Sequence, residues 1–171
     1  MNMNFDSQEE QDFYAWLLEA QEHGLISNIK YQPETFMLSN RVSLFYEKRL
    51  KTKVKECEHF LLHPHFYSPD FYFEIIDGRL NEFFTISKYT SNTQVWVDVK
   101  GVFNRFGDSK QFSINCKWMF QAYGIYIEKI VPVKLFLKTF VPESCRYTPK
   151  KNQPVRKYIG VPTVKQFLEA K

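Results

Sequence analysis

Residues 94–131 constrain the fold more than any other stretch, because they read as strand, helix, strand in close succession. Residues 95–99 are a short apolar run that Gly101 ends. Asp108 or Ser109 can cap a helix running to Ala122, with Phe112, Cys116, Met119, Phe120 and Tyr123 on one face. Gly124 stops that helix, and residues 125–131 read as a second strand that Pro132 ends. A unit of this kind packs back as two parallel strands with a right-handed crossover. The chain is therefore predicted to be α/β, with a sheet at its centre and helices on its faces.

The rest of the chain supplies the other parts. Residues 7–23 read as a helix with Phe13, Trp16, Leu17 and Ala20 on one buried stripe. Ser7 or Asp6 is a good N-cap, Phe5 a staple, and Gly24 the stop. Residues 25–38 read as a strand broken near Pro33. Residues 41–55 are charged and aromatic, either a strand with an exposed basic face or a short helix. There Lys48, Arg49, Lys51, Lys53 and Lys55 are available to phosphates or to solvent. Residues 57–76 read as two strands about a turn at His63-Pro64-His65; without a third nitrogen or sulfur ligand, that histidine pair predicts a turn and not a zinc site. Residues 79–93 are expected to form an extra hairpin or a long loop, of the kind that meets substrate beside a catalytic centre. Thr163 can cap a final short helix over residues 164–170.

At 171 residues the chain fits one domain with a sizeable core, and 17 Phe, 10 Tyr and 3 Trp suit both a filled core and a lined groove. The formal charge of +4 is unevenly placed. Residues 143–171 alone carry seven Lys or Arg against two Glu, which leaves the remainder about neutral. A basic segment beside a neutral core fits a polyanionic partner, and equally a solvated tail. Cys57, Cys116 and Cys145 are odd in number and form no CxxC pair, so neither a disulfide framework nor a zinc ribbon is indicated. No run approaches a membrane span and the first residues lack a leader pattern, so a reducing cytoplasm, with no membrane partner, is the expected setting.

The chemistry concentrates at two strand ends. Pro69-Asp70 opens the apolar run Phe71-Tyr72-Phe73, and Asp98-Val99-Lys100 closes the run that starts at Val95. Side chains alternate along a strand, so Asp98 and Lys100 share a face. If the strands end side by side, two carboxylates and one ammonium converge. Carboxylate oxygens hold a hard cation such as Mg²⁺, and a lysine orients the attacking water. Glu10 lies on the Phe13/Leu17 side of the first helix, where a carboxylate asks for a partner. Ser7-Gln8-Glu9-Glu10 is also a capping box, in which Glu10 bonds the Ser7 amide, and Glu9 lies almost equally close to the stripe.

Pro69-Asp70 followed by Asp98-x-Lys100 resembles the PD-(D/E)XK nuclease superfamily, and Ser7-x-x-Glu10 and Gln32-Pro33 look like phage-type and transposon-type members. The resemblance covers roughly residues 7–131. It implies a restriction-endonuclease-like mixed central sheet flanked by helices, with residues 1–142 as the nuclease-like core and 143–171 as a basic extension packed on it or trailing it. By the same resemblance Asp70, Asp98 and the Val99 carbonyl are expected Mg²⁺ ligands, with Mn²⁺ able to substitute. Lys100 is the expected catalytic lysine, and Glu10 completes a second metal site or holds a metal-bound water. Lys110, Gln111 and Lys117 on the following helix, with Lys150, Lys151, Arg156 and Lys157 in the tail, are candidate DNA contacts. The implied activity is metal-dependent DNA hydrolysis by an endonuclease, with branched or Holliday-junction DNA as substrate, a homodimer as assembly and a phage or mobile element as origin. The other readings are a non-catalytic nucleic-acid-binding or assembly protein that keeps the fold, and an accidental motif with Asp70 in a turn and Lys100 a surface strand lysine.

Overall fold

The computed structural model describes residues 4–102 and 106–170, with the backbone alone over residues 106–109. A four-stranded mixed sheet forms its centre, built from β1 (Ile26–Tyr31), β6 (Phe71–Ile75), β7 (Gln94–Val99) and β8 (Ile127–Ile130) in that spatial order. β1 and β6 pair antiparallel, as do β6 and β7, with Phe71 opposite both Tyr31 and Val97. β7 and β8 pair in parallel, Val99 opposite Ile130, joined over the sheet by α3 (Phe106–Tyr123). The strand, helix, strand reading of 94–131 thus gives the expected parallel pair. Helix α3 begins at Phe106, ahead of the expected caps Asp108 and Ser109, which therefore lie inside it.

Period-two alternation divides the sheet side chains between two layers. Phe71, Phe73, Val95, Val97 and Val99 face the main core, where α1 (Gln8–Glu22) buries Phe13, Trp16, Leu17 and Ala20. Rings fill the contact: Phe13 meets Phe71 edge-on at 5.3 Å, and Trp16 stacks on Phe140 at 5.2 Å. Trp16 also donates its indole N–H to Thr139 Oγ1, 3.1 Å away, so its one polar atom is satisfied. Tyr72 and Trp96 point the other way and touch at 4.8 Å. On that side a smaller core joins Phe36, Tyr67, Met119 and Ile127 under α3. The face expected for α3 is shifted: Asn115 and Met119 are buried and Phe112 and Cys116 half-buried, while Phe120 and Tyr123 are exposed.

Two ribbons leave the sheet. β2 (Phe36–Ser39) pairs with β5 (His65–Tyr67), and between them the chain makes a hairpin of β3 (Val42–Arg49) and β4 (Val54–Leu62). His63 and Pro64 do link two strands, but these are β4 and β5, which belong to different ribbons, and His65 is already the first residue of β5. Residues 79–93 differ from expectation. A 3₁₀ turn (Gly78–Phe83) and helix α2 (Thr85–Thr90) occupy them, because Leu80 and Phe84 are fully buried and anchor the segment to the core. This segment joins the end of β6 to the start of β7, so antiparallel pairing puts it at the opposite end of those strands from Asp70 and Asp98.

After β8 come α4 (Pro132–Phe136), α5 (Glu143–Arg146), a 3₁₀ turn (Arg156–Tyr158) and α6 (Val164–Glu169), the last opened by a Thr163/Gln166 capping box. Residues 143–170 do not trail. Tyr158 and Val164 are buried in the main core, Phe167 packs on Phe83 and Phe140, and Arg79 donates to the Leu168 carbonyl. Among the described residues no helix is long and apolar enough to cross a membrane.

Candidate metal-carboxylate site

Asp98 and Lys100 have the parity of Trp96, so both project from β7 toward α3. Asp98 is 4% exposed. Its Oδ2 accepts from the Tyr67 hydroxyl at 2.7 Å, and its Oδ1, deeply buried, is ion-paired with Lys100 Nζ. The Lys100 ammonium also lies 5.7 Å from the centre of the Phe112 ring on α3. A buried carboxylate is thus balanced by one cation and one hydroxyl, which is what burial requires.

Asp70 stands just before β6, with the parity of Tyr72. Its carbonyl accepts from the Gln32 amide at 2.7 Å, and its own amide donates to the Val97 carbonyl at 2.9 Å. The carboxylate closes the end of the ladder: Oδ2 accepts from the Val99 amide at 2.6 Å. Asp70 is therefore held against the strand that carries Asp98. Within an extended residue the N–H and C=O point to the same edge, so the Val99 carbonyl faces Asp70 as well. Burial, and then the charge of Asp98, push the Asp70 carboxyl up to about 7. The same burial, with Asp98 beside it, raises the Tyr67 hydroxyl well above its usual value and keeps it a donor.

Glu10 has a different place. It is 7% exposed, on a helix packed against the other layer. The Ser7 hydroxyl accepts from the Glu10 amide at 3.2 Å and donates back to Oε1 at 3.0 Å. Glu10 Oε2 takes the Tyr31 hydroxyl at 3.0 Å and the Asp6 amide at 3.3 Å. The capping arrangement holds, with the Asp6 amide in place of the expected Ser7 amide. Glu10 remains near enough to add to the upward push on Asp70, as the last of its causes. Glu9, half-buried one residue earlier, reaches the end of β7: a methyl group on Gly101 would sit 3.0 Å from its Oε1. Tyr67 is the site neighbour that the sequence did not single out, whereas Glu9 was the alternative to Glu10 on the same helix. Tyr67 was legible only as a strand residue three positions before Asp70.

The other candidates scatter. Lys110, Gln111 and Lys117 are exposed on α3, and Gln111 is turned to Asn115 Oδ1, 3.0 Å away. His65 Nε2 lies 2.8 Å from the same Asn115 oxygen, so His65 ties β5 to α3. Lys150, Lys151, Arg156 and Lys157 are exposed, with Lys157 Nζ lying 4.8 Å from the centre of the Tyr158 ring. Among the described residues no group of three or more His, Cys, Asp or Glu side chains is close enough to hold a metal ion. Asp70 and Asp98 form a pair. A pair suffices for Mg²⁺, which keeps several waters and takes one or two carboxylates with substrate phosphate. Two crowded acids, one of them kept from ionising below about pH 7, also fit a site where a divalent ion would relieve the repulsion.

Comparison of the chain with protein-family models, with curated proteins and with solved structures finds no match.

Proposed function

We propose that this protein is a metal-dependent phosphodiester hydrolase, and more narrowly a DNA endonuclease of the restriction-endonuclease-like kind. One observation carries the reading: Asp70 is bonded to the amide next to Asp98, and Lys100 is paired with Asp98 on the face they share. The topology supports it, since a leading helix, three antiparallel strands, a crossover helix and a parallel last strand make a mixed sheet with helices, the coarse form that the resemblance implies. Asp70, Asp98 and the Val99 carbonyl would hold Mg²⁺. Once bound, the ion supplies Lewis acidity toward phosphate oxygens and a water of lowered pKa. Lys100 would orient an attacking water and offset the charge growing on the phosphate. Tyr67 holds the Asp98 carboxylate in place through its hydroxyl. Glu10 supports the site as the cap of α1, and Glu9 is the carboxylate that α1 brings to the strand end. Branched or junction DNA as substrate and a dimer as assembly rest on the resemblance alone.

A second reading, a nucleic-acid-binding protein without catalysis, is favoured by the engagement of both Asp98 oxygens, by Tyr67 and Lys100. One assay divides the two. The protein is incubated with supercoiled, linear, single-stranded and four-way-junction DNA in Mg²⁺, Mn²⁺ or EDTA. The hydrolase reading expects cleavage only with the divalent ion, lost in Asp98→Ala and Lys100→Ala while circular dichroism shows both folded. Binding without cleavage in every condition would select the second reading.

A further inference from the structure

Among the described residues the hairpin β3–β4 has little support from the rest of the fold. Its two strands pack on each other, and among the described residues no other element packs on either to a comparable extent. Phe45 is 79% exposed, and Leu44, Tyr46, Leu50 and Val54 are exposed too. A lone two-stranded ribbon is marginal in water, so this one is built for something that lies on it.

Its register separates charge by face. Tyr46 stands opposite Cys57, Lys48 opposite Lys55 and, at the tip, the Leu50 amide bonds the Lys53 carbonyl. Alternation puts Lys48, Lys53 and Lys55 on one face with Leu44, Tyr46 and His59, and no acid among them. The other face takes Phe45 and Arg49 with Glu47, Glu56 and Glu58, Glu47 lying opposite Glu56. Two like-charge pairs directly across a ribbon oppose its own folding. A bound anion would relieve the Lys48/Lys55 pair, and a bound cation the Glu47/Glu56 pair. A second copy stacked on the ribbon by a two-fold axis would put lysine on lysine or glutamate on glutamate. A polyanion on the lysine face meets no such conflict.

The ribbon springs from the Ser39/His65 end of β2–β5, where Tyr67, two residues on, touches Asp98, and Lys48 and Lys55 stand six to seven residues, about 20 Å, out along it. We propose that the lysine face of the β3–β4 ribbon is an arm that reaches out from the Asp70/Asp98 site and grips the phosphate backbone of duplex DNA at a distance from it. The proposal rests on the reading of that site as one acting on DNA. The partner it commits to is the backbone, contacted without base readout through ammonium groups, with Tyr46 flanking them.

The test measures binding of the full chain to a labelled DNA duplex in EDTA, by fluorescence anisotropy over a salt series, apart from any cleavage. Lys48→Gln/Lys53→Gln/Lys55→Gln should weaken binding about tenfold or more at moderate salt. It should also lower the steepness of log Kd against log salt by roughly 2 to 3, at about 0.9 per phosphate released. The arginine triple variant should restore both, Glu47→Gln/Glu56→Gln should leave the slope where it is, and the glutamine triple variant should melt no lower than the parent. An unchanged slope in the glutamine triple variant, or a parent that does not bind duplex DNA, would overturn the arm. So would a dimer, seen by light scattering, that the ribbon substitutions split without affecting DNA. Cleavage that persists with an unchanged slope would sink the arm and keep the hydrolase. Lysine-dependent binding without cleavage in any metal would do the reverse.

Discussion

At the scale of single residues, the tension lies in Asp70. Its carboxyl is held at about 7 by burial and by Asp98, whereas an unfolded chain ionises it near 4. The folded state therefore binds the extra proton between about pH 4 and pH 7, so stability falls as pH rises through that window and stays low above it. Asp70→Asn removes the titration yet keeps an oxygen to accept the Val99 amide. Thermal melts should show the variant more stable than the parent by about 2–4 kcal/mol at pH 8, with the gain vanishing toward pH 4. Cleavage should be lost in the same variant. Equal melting of the two proteins at pH 8 would mean that neither burial nor Asp98 raises the Asp70 carboxyl.

Elements explain what residue types could not. Helix α1 packs on the β6/β7 face that carries Phe71, Val95 and Val97, while Asp70 and Asp98 leave from the other face. A carboxylate on its buried stripe can then approach the site only past the strand ends. Glu10 instead satisfies the first turn of its own helix and the Tyr31 hydroxyl. Glu10→Ala should cost about 1–2 kcal/mol in denaturant melts, the range for hydrogen bonds to a charged group partly replaced by water. An unchanged midpoint with abolished cleavage would restore Glu10 to the metal site. Helical periodicity identified the stripe and Ser7 together with Glu10 identified the cap. Neither could say which of Glu9 and Glu10 points toward Gly101, because that depends on how α1 crosses the sheet.

For the molecule as a whole, the basic C-terminal segment belongs to the structure as much as any other part. Tyr158 and Val164 are in the core, and Phe167 and Leu168 pack against it. Removing a large buried side chain costs about 3–5 kcal/mol, and a domain has only about 5–15 kcal/mol in total. A chain ending at residue 142 should therefore show no cooperative thermal transition. A well-folded truncation would contradict the packing described. Deletion for the same reason cannot test the segment's charges, and substituting glutamine at Lys150, Lys151, Arg156 and Lys157 is the sound version of that experiment.

Local patterns carried a good deal. The stripe of α1, the caps at Ser7 and Thr163, the strands about Phe71–Ile75 and Gln94–Val99, and the shared face of Asp98 and Lys100 all follow from side-chain periodicity and from turn chemistry, which act over a few residues. Other features needed the tertiary structure, because they join residues far apart in the chain. These are Asp70 seated on the Val99 amide, Tyr67 bonded to Asp98, a 3₁₀ turn and helix where a hairpin or a long loop was expected, and the pairing of β4 with β3. Burial decided each of them, since a side chain's partners are whatever the packed sheet brings within a few ångströms.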